Sequence, residues 1–329
     1  MGYALKVVDQ PVNESYGHVD ALSAYMRHSG LTQAEVSRLL GYSSSAISQY
    51  LNKKYDKGDL QKLNIAVADL LTAEALAARY QMKTAQVVLT KQMKECLGAI
   101  DCVKKLQAAG EKTFGVITGE AGIGKSRALE EYVRQNRTQS LLVICDPTKR
   151  SPTKFIQHLW RHLPGLPKDG RLSNSAVLMD DIIEYYQGKK KLILIDEGQF
   201  LEMETNEAVR SIQDQTGLGF VLSGTFKIEQ EIGLRGRIPE NAQLYSRAGV
   251  HCELTAKISP EDLTAMVGLY GVQDAKIIEW LLPRCNQPGK RYRFVSIILN
   301  LAHSLSVDRD VPLDLQAVEN AERMMRPRR

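Results

Sequence analysis

The sequence predicts an α/β protein, in which a parallel β-sheet core follows an all-α helix-turn-helix domain and precedes a helical lid. Three observations predict this arrangement. Five short apolar runs between residues 113 and 254 alternate with helical stretches, which is the pattern of a parallel sheet covered on both faces. A glycine-rich loop follows the first run and leads directly into a helical stretch. The spacing of apolar residues is helical before residue 110 and again from residue 258 onward.

The composition is typical of a globular protein. The 329 residues are 43% hydrophobic and 25% charged. No apolar run approaches the ~20 residues that a membrane-spanning helix needs, and the first residues, MGYALKVVDQP, lack the apolar core of a signal peptide. We therefore expect a cytoplasmic protein with no membrane partner. The five cysteines are odd in number and lack C-x-x-C spacing, so they indicate neither a disulfide framework nor a zinc site.

The first element is a predicted helix-turn-helix. Thr32 and Glu35 form a capping box, Gly41 ends the first helix, and a second helix is predicted over residues 44–52. The side chains expected to face a DNA groove are Ser44, Ser45, Ser48 and Gln49. An ordinary helical hairpin is the alternative. Residues 1–60 hold six basic and six acidic side chains, so DNA binding by this domain alone should be weak.

Four segments follow from the changes in pattern. Residues 1–65 form the helix-turn-helix domain, and residues 66–110 are Ala-, Leu- and Lys-rich without proline and are interpreted as a helical linker. Residues 111–256 form the α/β core, and residues 257–329 form the helical lid. The lid begins with Ser259 as a helix N-cap followed by a proline and two acidic residues.

The glycine-rich loop GEAGIGKS is a P-loop in the strand-loop-helix setting that this motif requires. Glycines let backbone N–H groups turn toward phosphates, Lys125 reaches the β- and γ-phosphate oxygens, and Ser126 can ligate Mg²⁺. A glycine-rich turn without a ligand is the alternative. The residues expected to bind ATP here are Gly119, Glu120, Ala121, Gly122, Ile123, Gly124, Lys125, Ser126 and Arg127.

A second acidic motif comes from the run KLILIDE. Four apolar residues end in Asp196, which can hold Mg²⁺ through water, and Glu197, which can polarise the attacking water. A strand end followed by a plain loop is the alternative for this motif alone. A small-molecule kinase would share the P-loop but would not need Glu197. The two motifs together therefore indicate ATP hydrolysis.

Two further positions lie where they could sense the nucleotide. Thr225 follows a buried strand and should lie at the carboxyl edge of the sheet, where ligands gather in open α/β folds. A strand-ending hydroxyl is its alternative role. In the lid, Arg293 precedes an apolar helix and is expected to face back toward the nucleotide, with Arg291 as the alternative.

Arg247, in the segment QLYSRAG, is a candidate arginine finger. It lies just before the last predicted strand, a position from which ring-forming ATPases project an arginine into the neighbouring subunit's nucleotide site. Arg235 and Arg237 lie close by in the sequence and compete for this role. A solvated surface arginine is the remaining alternative.

The order of these motifs resembles the phage Mu B-like transposition proteins and their AAA+ ATPase relatives. The features that carry the resemblance are the front domain with SQYLNKKYDKGD, GEAGIGKS, LILIDE, the strand ending in SGT, YSRAG, and a lid entered through QPGKRYRF. Relatives often continue the acidic pair with alanine and a polar pair, whereas this sequence has Gly198, Gln199 and Phe200. The resemblance implies an ATP-dependent protein that binds double-stranded DNA largely without sequence preference, forms a helical or ring oligomer on it, and stimulates a transposase.

Two basic loops of the core are candidate DNA contacts by analogy with that family, which places such segments on the inner wall of a helical assembly. The loop DPTKRSPTK carries Lys149, Arg150 and Lys154, and the loop LPKDGR carries Lys168 and Arg171. Solvated loop charges are the alternative. If the loops contact DNA, the contacts go to phosphates and carry no base preference.

Two other functions remain open at the level of sequence. An ATP-regulated transcription factor would use the helix-turn-helix to recognise one operator, and a footprint at one defined sequence would favour it. A replication helicase loader would share the nucleotide site, and strand displacement would reveal that role.

Overall fold

The core is a five-stranded parallel β-sheet. The computed structural model describes residues 16–56, 58–80, 87–163, 174–231, 247–255 and 257–325. The strands are β1 Phe114–Thr118, β2 Ser140–Ile144, β3 Leu192–Asp196, β4 Gly219–Gly224 and β5 Val250–Glu253. They are ordered β2-β3-β4-β1-β5, and every neighbouring pair is parallel. The predicted parallel sheet is confirmed, and all of its carboxyl ends lie at one edge.

Helices cover both faces of this sheet. On one face, α7 (Pro152–Trp160), α8 (Ser175–Tyr186) and α9 (Met203–Thr216) share a buried cluster with Phe114 and Phe220. On the other face lie α5 (Lys91–Ala108) and α6 (Lys125–Gln135). Gly115 shows why the second face needs a small residue, because a Cβ there would lie 2.7 Å from Val103 Cγ2 of α5. Successive side chains along β1 thus alternate between the two layers.

The chain divides into two compact units. One unit runs through residue 86 and includes His303–Pro312, and the other comprises Val87–Ala302 with the residues from Leu313 onward. The division falls inside the segment that the sequence interprets as a linker. Helix α5 lies wholly in the second unit, where the Gln107 Nε2 donates to Lys191 O at 2.9 Å and Gly217 O at 3.0 Å. These bonds fix the end of α5 to the loops that precede β3 and β4.

The first unit contains α1 (Val19–Ser29), α2 (Gln33–Leu40), α3 (Ser44–Leu51) and α4 (Leu60–Tyr80). The capping box predicted at Thr32 is present, and Gly41 ends α2 at φ 70°, a left-handed conformation that favours glycine. Helix α3 begins where the sequence predicts, with Ser43 as its N-cap. Its core side includes Tyr50, which is fully buried and donates to Asn64 Oδ1 at 2.6 Å.

From residue 257 to residue 325 the secondary structure is all helical, as predicted. After the short helix α10 (Lys227–Glu231), the chain forms α11 (Pro260–Gly268), α12 (Ala275–Cys285), α13 (Tyr292–Arg309) and α14 (Leu315–Met325). Ser259 caps α11 by accepting the Asp262 N–H, which confirms the expected helix start. Among the described residues, no helix combines the length and the hydrophobicity needed to cross a membrane. All five cysteines are free thiols.

Candidate nucleotide site

The P-loop lies between β1 and α6 at the carboxyl edge of the sheet. Gly122 and Gly124 have φ of 79° and 104°, so both positions need glycine. Helix α6 begins at Lys125 directly after Gly124, which leaves its first backbone N–H groups directed at the loop. A cradle of this kind accepts phosphate oxygens because the helix N-terminus is electropositive.

Lys125 is a buried cation at the centre of this loop. It is 8% exposed, and its Nζ donates to Gly119 O at 2.8 Å and Glu120 O at 2.9 Å. Burial lowers the pKa of Lys125, while the carboxylates of Asp196 and Glu197 oppose that change. Among the described residues, Lys125 has no ion pair within 4 Å. A polyphosphate fits this position, since a buried ammonium that bonds only carbonyls gains most from an added anion.

Asp196 and Ser126 form an oxygen donor set beside the lysine. Asp196 ends β3 and is 5% exposed. Burial raises the pKa of the Asp196 carboxyl, and hydrogen bonds from the Ser126 side chain and the Glu197 N–H oppose that rise. A carboxylate and a hydroxyl at a phosphate cradle are the hard oxygen ligands that Mg²⁺ prefers. The residues therefore fit a Mg²⁺–nucleotide complex.

Glu197 is held in an unusual backbone conformation. Its φ and ψ are 56° and 36°, a left-handed geometry that is uncommon for a non-glycine residue. Its carboxylate accepts a hydrogen bond from Gln199 Nε2, and Gln199 Oε1 accepts the Thr225 N–H at 3.1 Å. Because β3 and β4 are adjacent, the predicted base and the predicted phosphate sensor are joined through one amide.

The remaining P-loop residues have distinct surroundings. Glu120 is half-buried, Ala121 is exposed, and Ile123 is fully buried, so Ile123 can offer only its backbone to a ligand. Arg127 is exposed and forms an ion pair with Glu130 at 3.1 Å across one turn of α6.

The two lid arginines lie against the P-loop but differ in their exposure and in their partners. Arg291 is 5% exposed and forms an ion pair with Glu120 at 2.7 Å, so it is committed to the protein. Arg293 is exposed, its N–H donates to Gly122 O at 3.2 Å, and its charge lowers the pKa of Lys125 as a lesser cause than burial. The geometry thus favours Arg293 as the lid residue that is available to a nucleotide.

Arg247 lies at the opposite edge of the sheet. Its Nη1 donates to Asp214 Oδ1 at 2.6 Å and to Lys112 O at 3.3 Å, and its carbonyl accepts the Thr113 hydroxyl at 2.6 Å. These partners precede β1 and β4, whereas the P-loop follows β1. A five-residue strand separates the two edges by about 16 Å, so Arg247 cannot serve its own nucleotide site. Arg235 and Arg237 lie outside the described residues.

The basic loop after β2 carries three cations in three settings. Lys149 pairs with Asp146 at 2.6 Å, and this contact holds the pKa of Asp146 below its usual range. Arg150 pairs with Glu202 at 2.6 Å, and its side chain remains 61% exposed. Lys154 is exposed. Lys168 and Arg171, the other predicted DNA contacts, lie outside the described residues.

The helix-turn-helix residues have local partners. Ser44 and Ser45 are exposed, and their hydroxyls lie 3.2 Å from Ser37 Oγ and 3.0 Å from Ser43 Oγ. Ser48 and Gln49 are half-buried on α3. The four side chains therefore share one short helix, as the sequence predicts.

Sequence reasoning missed two polar residues that matter to this geometry. Gln199 holds Glu197, and its only sequence signal is its position two residues after the acidic motif. Asp214 pairs with both Arg247 and Arg210, and no sequence pattern marks it, because it becomes a neighbour of Arg247 only in the folded sheet.

Comparisons with known proteins agree with these observations. Residues 108–231 match the family model described as the AAA domain. The chain is 24% identical over 258 residues to the Mu-like prophage FluMu DNA transposition protein B of Haemophilus influenzae, covering 78% of this chain and 85% of that protein. It is 25% identical over 249 residues to the ATP-dependent target DNA activator B of Escherichia phage Mu, covering 76% of each. The resemblance predicted from the motifs is confirmed.

A solved structure agrees on the fold. The ORC2 protein of Aeropyrum pernix, described as ADPNP-ADP complexes, superposes with a TM-score of 0.58 at 13% identity, covering 75% of this chain and 70% of that chain. At this identity the likeness shows the fold alone. The predicted fold class is confirmed: an AAA+ P-loop core with a parallel sheet and a helical region before it. The chain therefore carries a AAA domain with a P-loop of the ATPase type.

Proposed function

We propose that this chain is an ATP-hydrolysing AAA+ protein that assembles on double-stranded DNA with little regard to sequence and presents that DNA to a transposase. The observation that supports hydrolysis is the convergence of Lys125, Asp196 and Glu197 at one edge of the sheet, where the charges of both carboxylates oppose the lowering of the Lys125 pKa by burial. The names of the relatives, a transposition protein and a target DNA activator, support the DNA role.

In the proposed reaction each residue has one task. The P-loop N–H groups and Lys125 hold the phosphates of ATP, and Ser126 and Asp196 would hold Mg²⁺, which neutralises charge on the phosphates. Glu197 accepts a proton from the attacking water as that water's oxygen bonds to the γ-phosphorus. The bond from the γ-phosphorus to the bridging oxygen then breaks, which releases ADP and phosphate. Thr225 and Arg293 would report whether the γ-phosphate is present.

Hydrolysis in this proposal needs a second subunit. Arg247 lies at the sheet edge opposite its own P-loop, and Asp214 and Lys112 O hold its guanidinium there. To act as a finger, Arg247 would exchange its ion pair with Asp214 for the phosphates of a nucleotide bound to a neighbouring copy. An oligomer that is formed with ATP would therefore complete each active site.

The proposed DNA contacts are phosphate contacts from Lys149, Arg150 and Lys154, with Lys168 and Arg171 as further candidates. One subunit offers few such cations, so tight binding requires many subunits that ATP aligns along the duplex. Affinity should then fall by about 0.9 log units per decade of salt for each phosphate neutralised. The helix-turn-helix would add an auxiliary contact through Ser44, Ser45, Ser48 and Gln49.

Electron microscopy of the protein with random-sequence duplex, with and without ATP, tests the assembly. We expect an oligomer along the DNA only with ATP. The paired variant Lys149→Ala with Arg150→Ala should weaken binding to every duplex and flatten the salt dependence. The variant Lys189→Ala with Lys190→Ala removes two adjacent exposed cations before β3 and serves as the matched control. Parental binding by the first variant, a footprint at one sequence, or strand displacement would contradict the proposal.

A further inference from the structure

Gln199 makes two side-chain hydrogen bonds that link the ends of β3 and β4. Its Nε2 donates to Glu197 Oε2, and its Oε1 accepts the Thr225 N–H at 3.1 Å. The residue is 8% exposed, so both bonds form in a largely water-excluded setting. Since the amide oxygen already faces an N–H donor, the amide nitrogen must face the carboxylate, and the orientation of the side chain is fixed.

The end of β4 leaves room for this side chain. A Cβ at Gly224 would overlap Gln199 Oε1 and would lie 2.8 Å from Ile228 Cδ1. Gly198 is also constrained, because a Cβ there would lie 3.2 Å from the same Ile228 atom. Two glycines with ordinary backbone angles therefore permit the close approach of the Gln199 segment to β4. This clearance is an observation independent of the hydrogen bonds themselves.

We propose that Gln199 is the positioning residue for Glu197. The proposal rests on the hydrolytic function given above. By holding Glu197 Oε2, the amide leaves Oε1 as the oxygen that accepts the proton from water. By holding the Thr225 N–H as well, it ties the orientation of the base to the strand end that faces the γ-phosphate. Within the described residues, the Gln199 amide is the hydrogen-bond partner of the Glu197 carboxylate, so it supplies the directional restraint.

Gln199 also lies close to the basic loop that follows β2. It lines a cavity of about 340 Å³ together with Pro147, Arg150 and Glu202. Arg150 O accepts the Glu202 N–H at 3.1 Å and the Thr205 hydroxyl at 2.6 Å. The loop proposed to contact DNA is therefore hydrogen-bonded to the segment that directly follows Gln199.

The test compares Gln199→Leu, Gln199→Glu, Glu197→Gln and the control Gln215→Leu, an exposed glutamine on α9. Each full-length variant is assayed for ATP affinity and for kcat. Gln199→Leu should lower kcat at least about tenfold and change ATP affinity by less than about twofold, because the phosphate cradle is untouched. Gln199→Glu keeps nearly the same side-chain size but has no amide N–H to donate to Glu197, so it should lower kcat as Gln199→Leu does while ATP affinity stays within about twofold.

The outcomes separate this proposal from the one on which it rests. A parental kcat for Gln199→Leu beside an inactive Glu197→Gln overturns the role of Gln199 alone. A parental kcat for Glu197→Gln overturns the proposed base and the role of Gln199 with it. Equal loss of ATP affinity and kcat in Gln199→Leu shows a merely structural role and also overturns the proposal. A parental kcat for Gln199→Glu has the same consequence.

Discussion

The nucleotide site and the front helical unit use polar residues in opposite ways. At the nucleotide site, Lys125, Asp196 and Gln199 are all under 9% exposed, and each is oriented by specific partners. In the front unit, the candidate DNA residues Ser44 and Ser45 are exposed and contact only neighbouring serines. A buried polar group needs hydrogen-bond partners within the protein, so those partners indicate its role. An exposed polar group can form hydrogen bonds with water instead. The contacts at the nucleotide site therefore indicate a chemical role for each residue. The contacts in the front unit show only that its candidate residues are on the surface.

Among changes that test the contrast between the nucleotide site and the front unit, we expect the largest effect on kcat from replacing Arg247. Arg247→Ala should bind ATP normally and lower kcat by about 10³-fold, since an arginine supplied to transferring phosphate has effects of this size. Mixing it with Lys125→Ala should partly restore turnover, because one subunit then supplies the arginine and the other the intact site. Steady-state turnover against mixing ratio is the measurement. Turnover that is independent of concentration and is not recovered by mixing would contradict a shared site.

A smaller but direct effect is expected from Lys125. Lys125→Ala should weaken ATP binding about 100-fold, or ~3 kcal/mol, because a charged contact to phosphate is lost from a buried cradle. Calorimetric titration with a slowly hydrolysed ATP analogue measures it. Lys94→Ala, an exposed lysine on α5, is the control and should bind as the parent does. Similar losses in both variants would show that the effect is not specific to the cradle.

The sequence predicted most residues of the nucleotide site but few of the hydrogen bonds and ion pairs that orient them. The P-loop, the acidic pair at the end of β3 and the helix start at Lys125 follow from spacing, because each depends on neighbours within a few residues. The Gln199–Thr225 and Arg247–Asp214 bonds join residues that are 26 and 33 positions apart and depend on strand order. Likewise, the sequence left Arg291 and Arg293 as alternatives for the nucleotide contact. The ion pair between Arg291 and Glu120, seen only in the structure, favours Arg293.

In the front unit, a local stability change is the next largest effect. Thr32→Ala should destabilise α2 by about 1 kcal/mol through loss of the capping hydrogen bond to the Glu35 N–H. Amide hydrogen exchange should report this as about fivefold lower protection confined to the first unit. ATP binding should remain parental. A comparable loss of ATP affinity would break the contrast between the two regions.

The same capping box should show a pH dependence of known sign. Hydrogen bonds from the Thr32 N–H, followed by its hydroxyl, lower the pKa of Glu35. Because the folded pKa lies below the unfolded value, the contribution is present above the unfolded pKa and is lost as pH falls through the folded one. Protection factors of α2 amides, corrected for intrinsic exchange at each pH, should fall in that window. Glu35→Gln should lack this transition, and an identical transition in that variant would refute the assignment.

The smallest effect is expected from the candidate DNA-contacting residues of α3. Ser48→Ala combined with Gln49→Ala should change binding to random duplex by less than about twofold, because phosphate contacts elsewhere dominate sequence-independent affinity. Titration against several unrelated duplexes measures it. A loss larger than that of Lys149→Ala with Arg150→Ala would mean that the front unit is the principal DNA contact.

The most direct test of the central claim, that the nucleotide site governs DNA binding, is the binding of Glu197→Gln to random-sequence duplex followed by fluorescence anisotropy. The variant keeps the cradle but lacks the base, so ATP should remain bound and intact. We predict tight, salt-sensitive binding with ATP that persists for the length of the experiment, and weak binding without nucleotide. Equal affinity with and without ATP would contradict the account.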